Sequence, residues 1–248
     1  MPFTLSHPAA VLLLGRPPLV ASALVAGTVA PDLPYVLPQA TSAGWGPYSA
    51  YNLTFTHEPG TGLIAGTAGA LVLLVLYHQL LKRPLLALLP EVVAGRVLDA
   101  AERFRWAGAA RPAWIVVSAV IGVLTHLLWD ALVHENRPDS PTTEALWWAS
   151  TLAGLLAVVA WLVSWLRRAP GRPLPPRTVL GPAGRLAAAA TLVAAGLAGV
   201  IVSLLGREDG AFDLAALRQA VAGGMSGVAV GLLLYAALWH LRPGRAGN

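Results

Sequence analysis

Hydrophobic and polar positions in this chain alternate on the scale of whole helices. Five apolar runs fall at 62–81, 113–134, 146–166, 185–205 and 222–241. Each has about the 20 residues that a helix needs to cross a hydrocarbon core of about 30 Å. Two shorter apolar segments come first, at 8–14 and 19–30, divided by Gly15-Arg16-Pro17-Pro18. The second would rise only about 18 Å, too little to span. A re-entrant hairpin would bring His7 and Asp32 to one side, and a single kinked span would separate them; the hairpin is the favoured reading. Ser6 is an expected N-cap, with Pro8 in the first turn. The pattern predicts one all-α integral membrane domain over 1–248: five transmembrane helices plus the N-terminal hairpin. Residues 1–135 carry the motifs and 136–248 form a plainer helical half.

The loops orient the spans. Residues 82–112 carry Lys82, Arg83, Arg96, Arg103, Arg105 and Arg111, and residues 167–184 carry Arg167, Arg168, Arg172 and Arg177. The intervening loops are poor in basic residues. Positive charge collects on the cytoplasmic side, which predicts that 82–112, 167–184 and the C-terminus are cytoplasmic. Loop 31–61, with Trp45, Tyr48, Tyr51 and Phe55, then lies at the outer interface. Residues 91–105 space Val93, Val97, Ala101 and Phe104 as an amphipathic helix would, either on the inner leaflet or as a solvated connector. Small residues recur at steps of four in Gly62/Gly66/Ala70, Ala195/Gly199/Ser203 and Gly223/Gly227/Gly231, a spacing that lets helices approach closely.

Composition strengthens the membrane reading. Only 12% of residues are charged and mean hydropathy is +0.64, against about 25% charged in soluble domains. There is no cysteine, so disulfides and thiolate ligands are excluded and any metal must use His and carboxylates. The net charge of +5 is accounted for by the basic loops and implies no nucleic-acid partner. The N-terminal apolar stretch has no basic residue before it and is broken at Arg16-Pro17-Pro18, unlike a secretory signal; it is expected to be retained structure.

Against this background the ionisable residues inside spans stand out. His126, Asp130 and His134 follow one another at steps of four, a stripe about 12 Å long on one helix face. Such residues in a span are expensive and mark functional sites. With His7, Asp32 and His57 they make a candidate metal-ligand set. His126 and His134 are too far apart to share an ion easily, so the spacing points to one ion on a neighbouring pair or to two with Asp130 between them. Simpler roles remain open: a hydrogen-bonded His126–Asp130 pair, an interfacial His134, loop histidines at His7 and His57, a turn or cap role for Asp32. Glu58 and Glu135 adjoin these ligands and are candidate supporting bases or solvated loop carboxylates. His78 and His240 are expected to be interfacial.

Four stretches carry a resemblance: Met1-Pro2-Phe3-Thr4-Leu5-Ser6-His7-Pro8-Ala9-Ala10, Ala30-Pro31-Asp32-Leu33-Pro34-Tyr35, Thr56-His57, and the segment His126–His134. Together they resemble the bacterial membrane family DUF4184, in chain order over 1–135, with the remainder similar only as apolar helices. That family resembles the YdjM-type membrane-bound metal-dependent hydrolases and, more distantly, secreted zinc phospholipases C and related nucleases. The resemblance implies a metal site built from His7, Asp32, His57, His126, Asp130 and His134. This chain departs from the pattern at Glu58-Pro59, at Ala131 and Val133 where hydroxyl residues are expected, and near Trp147-Trp148-Ala149-Ser150, where a Gln-containing motif is expected.

The function expected is a membrane-embedded hydrolase using one or two divalent ions, zinc by ligand type. Its substrate would be a phosphoester in a lipid or lipid-linked compound at the extracytoplasmic face, with Asp130 and His126 nearest the chemistry. The alternatives are an ion- or proton-coupled transporter, which would need access from both sides, and a non-catalytic scaffold with a structural His/Asp cluster. Oligomeric state is not legible.

Overall fold

The computed structural model describes residues 3–36, 53–134, 141–175, 178–205 and 214–241. The described residues are helical throughout their ordered elements. A 3-10 helix at Thr4–Val11 is followed by α1 (Ala21–Val29), a 3-10 turn at Ala30–Asp32, α2 (Leu33–Val36) and a 3-10 turn at Leu53–His57. Then come α3 (Pro59–Val75), a π-helical stretch at Leu76–Leu81, α4 (Lys82–Leu88), α5 (Glu91–Glu102), α6 (Arg111–His134), α7 (Pro141–Arg168), α8 (Pro182–Leu205) and α9 (Leu214–Leu241). Five helical runs are long and apolar enough to cross a membrane: Pro59–Leu88, Arg111–Val133, Thr142–Arg168, Pro182–Leu205 and Gln219–Leu241. The protein is an all-α integral membrane protein. Its outward faces are apolar, with Leu186 72%, Ile201 56% and Leu238 62% exposed, a surface suited to lipid rather than water.

Two sequence expectations change before residue 90. The first long span does not stop before Lys82-Arg83. The helix runs on through the π-helical stretch and Pro84 to Leu88. A π-helical stretch is one way to place proline in a helix without a break. Ser6 is not an N-cap: the 3-10 helix starts at Thr4, and the Ser6 hydroxyl donates to the Phe3 carbonyl at 2.7 Å.

The helices form two compact units. The first holds the N-terminal 3-10 helix, α1, α3, α6 and α7, so α7 groups with the motif-bearing segments. Its centre is the crossing of α1 and α6. A Cβ on Gly27 would meet the Ala119 carbonyl and lie 2.9 Å from Gly122 Cα, and one on Gly122 would lie 2.8 Å from Gly27 Cα. Only glycine permits that approach, the small-residue logic of membrane helix pairs. The Val20 amide, just before α1, donates to Ser118 on α6 at 2.9 Å. The Gly62/Gly66/Ala70 stripe lies inward on α3. Gly66 faces Val123 and Pro31, and Ala70 packs with Ala26, Ala30 and Ala119. The α7 helix closes over the N-terminus: Gly154 abuts Ser6, and Thr151 accepts the Phe3 amide at 3.1 Å.

The second unit is built on the α8–α9 pair, where both expected small-residue stripes are used. Gly199 meets Gly223 and Gly227, and Gly227 meets Ala195. From α9, Tyr235 donates to the Pro84 carbonyl at 3.1 Å and His240 Nε2 to the Leu80 carbonyl at 3.0 Å. The buried residues of α5 are Ala94, Gly95 and Leu98, one position on from the Val93/Val97 face that the spacing predicts. The shift has a local cause: Gly95 accepts the Arg172 amide at 3.1 Å, and the Arg172 guanidinium pairs with Asp99.

Candidate metal centre

Four short segments of the first unit deliver the site. The 3-10 helix at Thr4–Val11 carries His7, the turn after α1 carries Asp32, the turn before α3 carries His57, and α6 carries His126 and Asp130. Their side chains converge in the interior: His7 and His126 are 0% exposed, Asp32 2% and Asp130 7%. His7, Asp32 and His126 each offer a ligand atom within 4.8 Å of the others, and so do His57, His126 and Asp130. The N-terminal segments therefore form a hairpin that returns Asp32 to the level of His7, as the re-entrant reading requires.

The hydrogen bonds orient both central histidines. His126 Nδ1 lies 2.8 Å from the Thr28 carbonyl oxygen. A carbonyl can only accept, so Nδ1 carries the proton and donates it. The Thr56 hydroxyl donates its single hydrogen to the Pro31 carbonyl at 2.9 Å. Its contact with His57 Nδ1 at 3.1 Å is then one in which Nδ1–H donates to the Thr56 oxygen. Both rings thus present Nε2 to the cluster. Imidazoles held at Nδ1 by a carbonyl or hydroxyl are what metal ligation by Nε2 calls for.

Four acceptor atoms meet as a result: His57 Nε2, His126 Nε2, Asp32 Oδ1 and Asp130 Oδ2. The two Nε2 atoms are 3.3 Å apart. His57 Nε2 lies 3.2 Å from Asp32 Oδ1 and 3.6 Å from Asp130 Oδ2, and His126 Nε2 lies 3.6 Å and 3.5 Å from the same two atoms. A tetrahedron of ligands about 2.0–2.1 Å from an ion has edges of about 3.4 Å. These five separations run from 3.2 to 3.6 Å, so Asp32 Oδ1 and Asp130 Oδ2 each complete, with the two Nε2 atoms, a triangle whose edges suit ligands of one divalent ion. Without a cation, two carboxylates and two lone pairs would face one another in a buried space, an arrangement that burial penalises heavily.

His7 stands to one side. Its ring stacks on His126 at a centroid distance of 4.0 Å and meets Trp129 edge-on at 5.8 Å. Its Nε2 is 3.6 Å from the second Asp130 oxygen, Oδ1. Asp130 therefore faces His57 and His126 with one oxygen and His7 with the other. The side chain of His134 and all of Glu135 lie outside the described residues. Glu58, expected beside the cluster, is exposed, and its carboxylate accepts a bond from Thr61 at 3.0 Å in the first turn of α3. Among the described residues, the Thr28 carbonyl, the Thr56 hydroxyl and the Pro31 carbonyl are the parts that sequence reasoning missed. Only Thr56 left a trace there, as the neighbour of His57.

A bundle of membrane-spanning helices enclosing a buried His/Asp cluster defines the class of protein. The chain belongs to the family described as domain of unknown function (DUF4184), whose model matches residues 1–237. The match extends well beyond residue 135, into the half that resembled the family only as apolar helices. No curated protein and no solved structure matches the chain.

Proposed function

We propose that the protein is a membrane-embedded, metal-dependent hydrolase acting on a phosphoester of a lipid or lipid-linked compound. The observation that carries this reading is the convergence of His57 Nε2 and His126 Nε2, 3.3 Å apart, with Asp32 Oδ1 and Asp130 Oδ2 each 3.2–3.6 Å from both. Asp32, His57, His126 and Asp130 would hold the ion, zinc by ligand type, with His7 against the outer oxygen of Asp130. A divalent ion in such a set supplies Lewis acidity towards a phosphoryl oxygen and activation of water. The protein's own contribution is orientation. Thr28 and Thr56 hold the two imidazoles, and His7 holds Asp130. His57 is the most open of the ligands, its side chain 17% exposed against 0% for His126, so substrate would enter past it. The basic loops at 82–112 and 167–184 support, by the positive-inside rule, a site on the extracytoplasmic side of a bacterial inner membrane. The resemblance to YdjM-type hydrolases supports the same reading.

The test is a screen of phospholipids and polyprenyl phosphates with purified wild type, chelated protein, Asp130→Asn and His78→Ala. Turnover should vanish with chelator, return with added metal and fall far more in Asp130→Asn than in His78→Ala. Turnover indifferent to both chelator and Asp130→Asn would sink the mechanism. Ion flux in proteoliposomes that depends on Asp130, with no hydrolysis, would favour a coupled transporter instead.

A further inference from the structure

The first unit carries a concave feature remote from the His/Asp cluster. A cavity of about 480 Å³ opens between the turn before α1 and the loop that leads into α6. Pro18 forms one wall; Arg103, Arg105, Arg111 and Trp114 form the others, and no acidic residue lines it. Gly108, at φ 140°, lets the loop turn sharply between Arg105 and Arg111, a conformation that favours glycine. The loop is braced from within: Arg111 Nε donates to the Arg105 carbonyl at 3.3 Å, its guanidinium lies 5.9 Å from the Phe104 ring centroid, and Phe104 meets Trp106 edge-on at 4.8 Å.

Position and chemistry together identify an occupant. Arg111 precedes His126 by fifteen residues on α6, about 22 Å along the axis, so the cavity lies near the opposite membrane face. Trp114 is a fitting residue for that interface, where indoles sit at headgroup level. Just beyond it on α6, Val116 and Val117 are 42% and 41% exposed, so the helix that carries Trp114 offers apolar surface within its next turn. Three arginines and a tryptophan lining one cavity, next to exposed valines on the same helix, match a molecule with an anionic phosphate head and hydrocarbon chains. Guanidinium is the side-chain group best shaped to grip phosphate oxygens in pairs, and basic pockets beside spanning helices recognise anionic headgroups.

We infer that the cavity bounded by Arg103, Arg105, Arg111 and Trp114 binds the phosphate headgroup of an anionic glycerophospholipid from the leaflet opposite the His/Asp cluster. The site is independent of the proposed catalysis. Bound lipid would tie the turn before α1 to the start of α6, the two elements whose crossing positions the candidate metal ligands.

Native mass spectrometry and thermal-shift titration of the full-length, detergent-purified protein test this. The probes are phosphatidylglycerol, phosphatidylcholine and inorganic phosphate. Phosphatidylglycerol should bind and stabilise in preference to phosphatidylcholine. The preference should weaken about five-fold for each arginine removed in Arg103→Gln and Arg105→Gln, and most of it should survive in Arg103→Lys and Arg105→Lys. Arg167→Gln with Arg168→Gln, which alters a different basic end, should leave it intact. Equal binding of the two lipids, or an equal loss in the Arg167/Arg168 variant, would overturn the site. Stabilisation by inorganic phosphate matching that by phosphatidylglycerol would overturn the lipid assignment in favour of a free anion. If the glutamine variants fail to fold, a folded lysine variant that binds the two lipids equally overturns recognition of the headgroup by the charge at these positions.

Discussion

His57 Nε2 and His126 Nε2 face each other at 3.3 Å, each on a ring whose Nδ1 proton is already committed elsewhere. His126 is tied to a backbone carbonyl, the more rigid of the two supports. His57 is tied to the Thr56 hydroxyl, which is itself tied to the Pro31 carbonyl, one residue before Asp32. Asp32 and His57 come from segments far apart in sequence, and this chain of bonds locks them to each other.

Thr56 is therefore the position at which that lock can be tested. Thr56→Val keeps the shape and removes the hydroxyl, while Thr56→Ser keeps the hydroxyl. Loss of a group that orients a metal-ligating histidine typically lowers affinity about 10–100-fold. Competition with a chromophoric chelator should show that loss for Thr56→Val and near wild-type affinity for Thr56→Ser. Equal affinity in both variants would mean that Thr56 does not orient His57.

The metal itself should be retained on purification. Wild-type protein should carry about one to two equivalents of zinc or a similar ion, as His/carboxylate ligation allows. His126→Ala combined with Asp130→Ala should lose most of it while circular dichroism stays helical. Stoichiometric metal in the double variant, measured by elemental analysis, would remove these two residues from the site. A wild type that binds no divalent ion under any loading condition would instead point to a proton as the cation within the cluster.

What was legible in the sequence followed from physical cost. Ionisable residues at steps of four in an apolar run cannot be ignored, so His126 and Asp130 announced themselves. Spans were legible because apolar length is a strong constraint, and the glycine stripes of α8 and α9 because their spacing repeats. His7, Asp32 and His57 are legible only as residue types able to ligate a metal, with loop, turn or cap roles open beside it; periodicity says nothing about how separate turns converge. The Thr28 and Pro31 carbonyls left no signal at all, since every residue has one. The helix continuing through Lys82-Arg83-Pro84 was missed because charge and proline ordinarily mark an end. The buried edge of α5 is set by contacts with Arg172, far away in sequence, which a helical-spacing argument cannot see.

Orientation can be checked directly, because the chain has no native cysteine. The alternation of basic loops predicts that single cysteines at Ser42 and Ser140 react with a membrane-impermeant thiol reagent in intact cells and that one at Gly171 does not. The reverse labelling pattern would move the proposed metal site to the cytoplasmic face and the arginine-lined cavity to the outer leaflet.

The last prediction concerns Gly27 and Gly122, where α1 and α6 touch backbone to backbone. A Cβ on Gly27 would lie 2.9 Å from Gly122 Cα and from the Val123 amide nitrogen. These are backbone atoms inside a helix, so no side chain can swing away and the helices themselves must separate. Overpacking of this kind typically costs about 1–3 kcal/mol. The consequence should reach the site, because Thr28 follows Gly27 directly and its carbonyl holds His126, while α1 leads into the turn bearing Asp32. Gly27→Ala should lower both the thermal midpoint and the metal affinity. Gly60→Ala, at a position with nothing within 4 Å of the added carbon, should leave metal affinity unchanged and the midpoint equal or slightly higher. Thermal unfolding of the chelated and metal-loaded forms separates the two effects: a packing defect lowers both midpoints, and a loosened site also shrinks the gap between them. Wild-type midpoints in Gly27→Ala would show that α1 and α6 do not approach this closely, and the placement of Thr28 beneath His126 would fall with that contact.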